Sequence, residues 1–440
     1  MSVERLNPSF KSIVALGFLR MPLALLELPL FVLLPKLYNE LFGLSLATVG
    51  LVLLATRFFD AILDPFLGVW IDRSHSAAST KTSFSYRFWI AAFLPLLIIS
   101  FGALLFAPSQ WKGTDYIAIW LGVFSVFTYI AYSVISISYQ AWGAQWGNSN
   151  VQRAKVTTTR EACGLVGVLL AAIWLSPDKR VALFSTMCVL SAIALMAMFR
   201  ITAPAKPLLI ESPRLSPLAE FGRLLLDTKF RWLIGVFAIN GIATAIPATL
   251  VLFFINDVVG ANDKAPMFLA SYFLAGAVGM PIWAWLAKKI GLKNTWLVGM
   301  LFAVIAFVGA LGIQKGDDHF FLGICIVTGL ALGADLAMPP ALLATLIANN
   351  SDPTTGESRE ATYFGLWSLV TKLNLAIAAG LGLPLLQWLG YQPNAVGLSS
   401  NAGMQNVLAL SLVYAALPCA LKLIAGTALL LAPLKEDVES

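Results

Sequence analysis

Arg57, Asp60 and Asp64 stand at i, i+3 and i+7 inside an apolar run that begins near Leu44 and is long enough to cross a bilayer. On a helix that spacing places all three on one stripe. A charged side chain near the bilayer centre costs roughly 2.5–3.5 kcal/mol on insertion scales. Three of them on one face are retained where that face lines a polar cavity. The chemistry open to such a stripe is reversible binding of a cation or proton, because one arginine cannot neutralise two carboxylates. A structural Arg57–Asp60 salt bridge joining two helices is the alternative, and it accounts for only one of the two acids.

The elements that must hold this stripe are membrane helices. The chain has 440 residues, 59% of them hydrophobic and only 12% charged, with a mean hydropathy of +0.81. Soluble domains carry about twice that charge fraction. Apolar runs of the length that crosses a bilayer recur throughout, and the alternating pattern of outer-membrane barrels is absent. Helical spans are expected at residues 12–36, 44–70, 87–107, 115–142, 155–176, 180–201, 229–257, 265–289, 293–313, 318–349, 358–388 and 402–432. The expected fold class is therefore an all-α membrane protein of twelve transmembrane helices. Residues 1–200 form one six-helix bundle and residues 229–440 a second. Between them, residues 201–228 form a cytoplasmic linker with Lys206, Arg214, Arg223, Asp227 and several prolines. Residues Met1 to Lys11 lack the features of a cleaved secretory signal, so no processing is expected.

Lys and Arg set the orientation. With both termini inside, the inner loops hold Arg73, Lys81, Arg87, Arg153, Lys155, the linker's basic residues, Lys288, Lys289, Lys293 and Arg359. The outer loops hold only Lys112, Lys179, Arg180, Lys264 and Lys315, with Lys36 at the end of the first span. A multi-pass protein of the inner (plasma) membrane with cytoplasmic termini follows.

Several function classes are excluded or unsupported. Cys163, Cys188, Cys325 and Cys419 fall in apolar spans without metal-ligand spacing and read as small core residues. His75 and His319 are expected in separate loops. No Walker, GxSxG or HExxH pattern occurs, so an enzyme is not expected. Neither a cofactor nor a nucleic-acid partner is expected, and the chain is expected to act as a monomer. Two equal halves are what repeat-built transporters look like, with a substrate site at the midplane. A channel would need several subunits or a filter-like loop. Pro22, Pro29, Pro65, Pro339, Pro340 and Pro384 within spans suit helices that bend between two states.

At the second span a family resemblance becomes specific. Arg57-Phe-Phe-Asp60-Ala-Ile-Leu-Asp64-Pro65-x-x-Gly68-x-x-x-Asp72-Arg73 resembles the signature of the glycoside–pentoside–hexuronide:cation symporters, the melibiose-permease-like branch of the major facilitator superfamily. The tail Gly68, Asp72 and Arg73 also resembles the superfamily's conformational motif after the second helix. Arg153 to Arg160 is similar to the family's arginine-containing start of the fifth helix. Gly356-x-x-Arg359-Glu360-x-x-Tyr363-Phe364-Gly365, then Lys372-Leu373 and Gly390-Tyr391, is similar to its eleventh-helix region.

The resemblance implies the major facilitator fold and secondary active transport by alternating access. It implies a cation site at Asp60 and Asp64 with Arg57 beside them, Lys372 facing them from the other bundle, and Arg160 near the substrate. The chain also departs from the family. Leu63 stands where melibiose permeases carry an asparagine, Ser136 where sugar-binding members have a fourth-helix aspartate, and Leu23 and Ala24 where an adjacent lysine and aspartate occur. Leucine offers sodium no oxygen ligand, so the coupling ion is expected to be H+ before Na+, with Asp60 and Asp64 the Na+ ligands if sodium is used.

Further polar residues complete the candidate site. Glu27 is read as a substrate- or proton-binding group, or as the partner of Arg20. Arg160 lines the cavity, while Glu161, about 100° away on the helix, serves as an internal ion-pair partner. Tyr139 and Gln140 lie closest to the family's substrate-contacting aromatic position. Asp335 is a polar site of the second bundle or a hydrogen-bond acceptor for backbone freed near Pro339 and Pro340. Lys422 is read as a snorkelling or packing lysine. The substrate is then a small solute, by family a sugar or glycoside, in a protein embedded in the lipid bilayer. A lipid-like or amphipathic substrate and a non-transporting scaffold or sensor are the alternatives.

Overall fold

The computed structural model describes residues 9–76, 85–147, 149–174, 177–201, 216–350, 359–391 and 407–434. Lys81, Lys206, Arg214, Gly356, most of the expected linker and the start of the twelfth expected span lie outside them. The described residues are helical almost throughout. Helix α1 covers residues 10–40 and is assembled from Phe10–Phe18, Arg20–Leu28, a π turn at Pro29–Leu33, and Leu34–Glu40. There follow α2 (Leu46–Ser76), α3 (Tyr86–Leu105), α4 (Asp115–Ala144), α5 (Asn150–Ile173) and α6 (Arg180–Arg200). The short helix α7 (Pro217–Leu226) precedes α8 (Thr228–Val259). A continuous run, Ala265–Ala310, bends at Gly291 (φ 83°, ψ 167°) into α9 (265–290) and α10 (292–310). The positive φ is one that glycine adopts without a side-chain clash. Then come α11 (Asp318–Asn350), α12 (Glu360–Trp388) and α13 (Val407–Leu431).

Nine helices among the described residues are long and apolar enough to cross a membrane. One of them is the bent run, which supplies two spans, and α1 and α2 bring the total to twelve. The sequence-predicted boundaries agree within a few residues, and the predicted break between residues 289 and 293 is the bend at Gly291. His75 and His319 are not loop residues: they sit in the last turn of α2 and the first turn of α11.

Local sequence explains where the helices start. Ser9, Ser85 and Ser149 are N-caps whose hydroxyls accept from the backbone N–H groups of Ser12, Phe88 and Gln152, and the Asp227 carboxylate does the same for Lys229 at α8. Inside the helices, Pro65, Pro339, Pro340 and Pro384 are accommodated without a break. Membrane helices tolerate this because neighbouring groups satisfy the carbonyls that proline leaves unbonded.

The chain divides into two compact units. The first comprises Met1–Leu224 with Ala344–Leu369, and the second Leu225–Leu343 with Val370–Ser440. In the first, α3 packs on α4, α2 on α4 and α1 on α5. In the second, α13 packs on α8 and on the Ala265–Ala310 run. Helix α2 shows how one sequence serves two solvents. Leu51, Leu54, Phe58, Ile62, Phe66 and Trp70 form an exposed apolar stripe, while Asp60 and Asp64 turn inward. The fold confines charge to one side of that helix, where it positions the site.

Candidate functional site

Within the first unit, α2 carries the acidic pair inward. Asp60 is 3% exposed and Asp64 0%. Oδ1 of Asp60 accepts a 2.8 Å hydrogen bond from Ser133 Oγ on α4. Oδ2 of Asp64 accepts one from Ser368 Oγ on the first half of α12. The Arg57 guanidinium carbon lies 5.5 Å from the centre of the Tyr129 ring, a cation–π distance. The stripe expected from sequence is therefore held by hydroxyl and aromatic partners from neighbouring helices. Carboxylates buried this deeply stand on hydrogen bonds and nearby charge.

A second polar cluster lies between α1, α4 and α5. Glu27 Oε1 accepts from Arg20 Nη1 at 2.6 Å and from the Tyr132 hydroxyl. Arg20 Nε reaches Glu161 Oε2 at 3.5 Å, and Arg160 Nε donates to Glu161 Oε1 at 2.9 Å. Two acids and two arginines alternate, so the cluster is neutral overall. Arg160 and Glu161 leave the helix in different directions, yet the long arginine curls back and the two side chains bond directly. Arg160 also lies over the Tyr139 ring, 5.6 Å from its centre. The Tyr139 hydroxyl donates to the Leu16 carbonyl at 2.9 Å, so this buried tyrosine holds α4 to α1 and supports Arg160. Gln140 is half-buried and donates to Ser136 Oγ at 3.2 Å.

The motif after the second helix is a helix-terminus clasp. Asp72 accepts from the backbone N–H groups of Ala361 at 3.0 Å and Thr362 at 2.6 Å, the first turn of α12. The Thr362 and Tyr86 hydroxyls donate to it at 2.7 and 3.0 Å. A carboxylate there satisfies N–H groups that have no partner inside the helix and meets the positive end of its dipole. Gly68, one turn earlier, allows the approach: a Cβ there would run into the Ala361 carbonyl oxygen. Arg73 pairs with Glu220 of α7 at 3.2 Å, which ties the linker helix to α2.

In the second unit, Asp335 of α11 is the centre of a buried ion pair. Its Oδ2 receives Lys422 Nζ of α13 at 2.6 Å, the two side chains being 8% and 3% exposed. Asn240 Nδ2 and Trp296 Nε1 each donate to Oδ1 at 3.0 Å. Lys422 also donates to Asn240 Oδ1 at 2.9 Å and Thr244 Oγ1 at 3.2 Å. Side chains from three other helices, α8, α10 and α13, rather than the backbone near Pro339 and Pro340, thus satisfy Asp335. Lys422 does not snorkel to a surface; it is the pair's buried cation. Lys372, also in this unit, is half-buried on α12.

A family model described as MFS/sugar transport protein matches residues 16–436. The chain belongs to the MFS/sugar transport family. It is 24% identical over 378 residues to the isoprimeverose transporter of Lactiplantibacillus pentosus, covering 81% of this chain and 76% of that one. It is 24% identical over 421 residues to the glucuronide carrier protein homolog of Escherichia coli (strain K12), covering 91% of this chain and 87% of that one. Among solved structures, a bacterial homologue of the iron transporter ferroportin in its outward-facing state superposes with a TM-score of 0.69 at 16% identity, covering 97% of this chain and 100% of that one. That likeness is one of fold. The protein is a multi-pass membrane transporter of the major facilitator type, not an enzyme.

For a member of the MFS/sugar transport family, the residues missed by sequence reasoning are mostly neutral. Ser133, Ser368 and Tyr129 hold the α2 stripe. Hydroxyls are common in membrane helices, so composition gives them no prominence. The one usable signal was periodicity: Tyr129, Ser133, Ser136 and Gln140 share a face of α4 at helical spacing.

Proposed function

We propose that this family member is a cation-coupled symporter of a small glycoside or sugar, working by alternating access, with Asp60 and Asp64 as the coupling site. Burial of two carboxylates on one membrane helix is the observation that carries the reading. Such groups cross between access states at acceptable cost only when a positive partner accompanies them. Arg57 is one such partner and Lys372 is proposed as the other, releasing the acids when the ion arrives.

The proton is favoured over sodium. Sodium, a hard cation, seeks several oxygen ligands, and Leu63 between the two acids supplies none. Glu27 and Arg160 are the proposed substrate contacts: the alternating acid–base cluster offers both donors and acceptors to sugar hydroxyls. Gln140, half-buried on the same face of α4, is proposed beside them. Tyr139 is proposed to act through Arg160, and Asp335 to act within its own unit. The names of the relatives suggest isoprimeverose or a glucuronide as first candidates. Bacterial relatives and the Lys/Arg asymmetry support an inner-membrane protein with both termini cytoplasmic; that it acts as a monomer is part of the same proposal.

Counterflow and accumulation in vesicles test the reading, with isoprimeverose, a glucuronide and a lysophospholipid as probes. The expected result is sugar-driven proton uptake in the wild type, independent of sodium. Asp60→Asn is expected to retain counterflow and lose accumulation against a gradient. Accumulation by a variant with both acids neutralised would remove the coupling site from Asp60 and Asp64, and transport of the lysophospholipid alone would reassign the substrate.

A further inference from the structure

The second unit carries an open cavity of about 130 Å³ that the coupling site does not use. Its wall is mostly apolar and rich in rings, with Phe268, Tyr272 and Phe273 on α9 and Phe307 on α10, while Asp335 and Lys422 stand at its polar side. Tyr414 also lines it. This residue is only 5% exposed and stacks on Phe254, ring centres 4.1 Å apart at 14°. Its hydroxyl makes no hydrogen bond among the described residues. Tyr414 belongs to a π turn, Leu412–Ala416, which interrupts α13. Insertions of this kind recur at functional sites because they re-aim a side chain.

A phenol hydroxyl that opens on a mostly apolar cavity is a polar point at which a ligand can anchor. The free volume sets the size, since an engineered cavity of about 150 Å³ takes one benzene. The rings set the shape, because aromatic faces and edges receive another ring in offset or edge-on contact. Charge sets the class. Asp335 and Lys422 already compensate each other and have their remaining hydrogen bonds filled. An ionised ligand would bring an uncompensated charge into that surround, whereas a hydroxyl can accept from Tyr414 or donate to it.

We propose that this cavity is a binding site for a neutral aromatic alcohol of phenol size, its ring among the aromatic side chains of α9 and α10 and its hydroxyl bonded to Tyr414. The site lies wholly in the second unit and stands independently of the coupling mechanism.

Fluorine NMR of detergent-solubilised full-length protein tests it with three probes: 4-fluorophenol, fluorobenzene and 4-fluorobenzoate. Saturable binding is expected for 4-fluorophenol, weaker binding for fluorobenzene and none for the anion. Tyr414→Phe should weaken 4-fluorophenol roughly three- to tenfold, the worth of one net hydrogen bond, and leave fluorobenzene unchanged. Ala303→Leu, which fills the space from α10, should abolish saturable binding of both neutral probes, with a retained melting transition showing that the protein folds. Should Ala303→Leu not fold, Cys325→Met narrows the same cavity from α11. Equal binding of 4-fluorophenol to wild type and the filled variant, equal affinity in Tyr414→Phe, or absence of saturable binding to the wild type would each overturn the proposal.

Discussion

Ser133 Oγ donates to Asp60 Oδ1 across 2.8 Å, so an acid in the hydrocarbon slab is held by a neutral hydroxyl from the neighbouring helix. That bond separates charge from packing. In Asp60→Asn the amide oxygen still accepts from Ser133, and the side chain keeps its volume. We expect little change in melting temperature for Asp60→Asn and complete loss of uphill solute accumulation. Ser133→Ala does the converse. It leaves the charge and removes a partner, at a cost of about 1–3 kcal/mol in stability, read as a lower melting temperature in detergent.

The Asp335–Lys422 pair should behave as a unit. Lys422→Met alone leaves Asp335 buried with its cation gone, which typically costs about 3–5 kcal/mol. Asp335→Asn alone leaves the ammonium in the same position. The double variant Asp335→Asn with Lys422→Met removes both charges and keeps acceptors for Asn240 and Trp296, so much of the lost stability should return. A double-mutant cycle on unfolding in detergent measures this. Additive losses, with no recovery in the double variant, would show that the two side chains do not compensate each other.

How far the sequence reached follows from what kind of signal each residue carries. Asp60, Asp64 and Arg57 were legible because a charge among leucines is conspicuous and expensive. The spans were legible because an apolar run of fixed length has one use. Glu27 was legible as a charge inside a span, but its pairing with Arg20 stood only as one of two readings. The partner of Asp335 was not legible. Lys422 is 87 residues away, and its burial depends on how α8, α11 and α13 pack, which no local pattern encodes. Arg160 and Glu161 mark a different limit. Their backbone directions were derived correctly, but long side chains reach around the helix, so direction at Cβ does not fix the contact. Ser368 shows a third: α12 contributes its residues up to Leu369 to one unit and those from Val370 to the other, so a single helix serves two sets of neighbours.

Tyr391, beyond the end of α12, gives a pH test away from the transport site. Its hydroxyl donates to Asp257, and burial together with that acceptor raises its pKa above the usual 10.0. A raised pKa on an acid means that the folded state favours the protonated form. The resulting stabilisation is complete below the unfolded value and is lost as pH rises through the folded one. Melting temperature should therefore fall more steeply above about pH 10 in the wild type than in Tyr391→Phe. Parallel alkaline profiles for the two proteins would dismiss the contribution.

Gly68 and Asp72 act on the same contact, the close approach of α2 to the first turn of α12, and that makes their variants informative together. Alanine in place of a mid-helix glycine ordinarily gains about 0.5–1 kcal/mol. At Gly68 the added methyl meets the Ala361 carbonyl oxygen, and overpacking of this kind costs about 1–3 kcal/mol. The clash should win, and Gly68→Ala should lower stability despite its better helix propensity. Asp72→Asn keeps one acceptor oxygen and turns an amide N–H₂ toward the donors Thr362 and Ala361 or toward Tyr86, so at least one of its hydrogen bonds is lost. If Gly68→Ala already displaces the start of α12, those bonds are weakened before Asp72 is touched. The double variant should then lose less than the sum of the single losses, with an interaction energy of about 0.5–3 kcal/mol. Strict additivity in detergent unfolding would mean that the glycine and the carboxylate serve separate contacts.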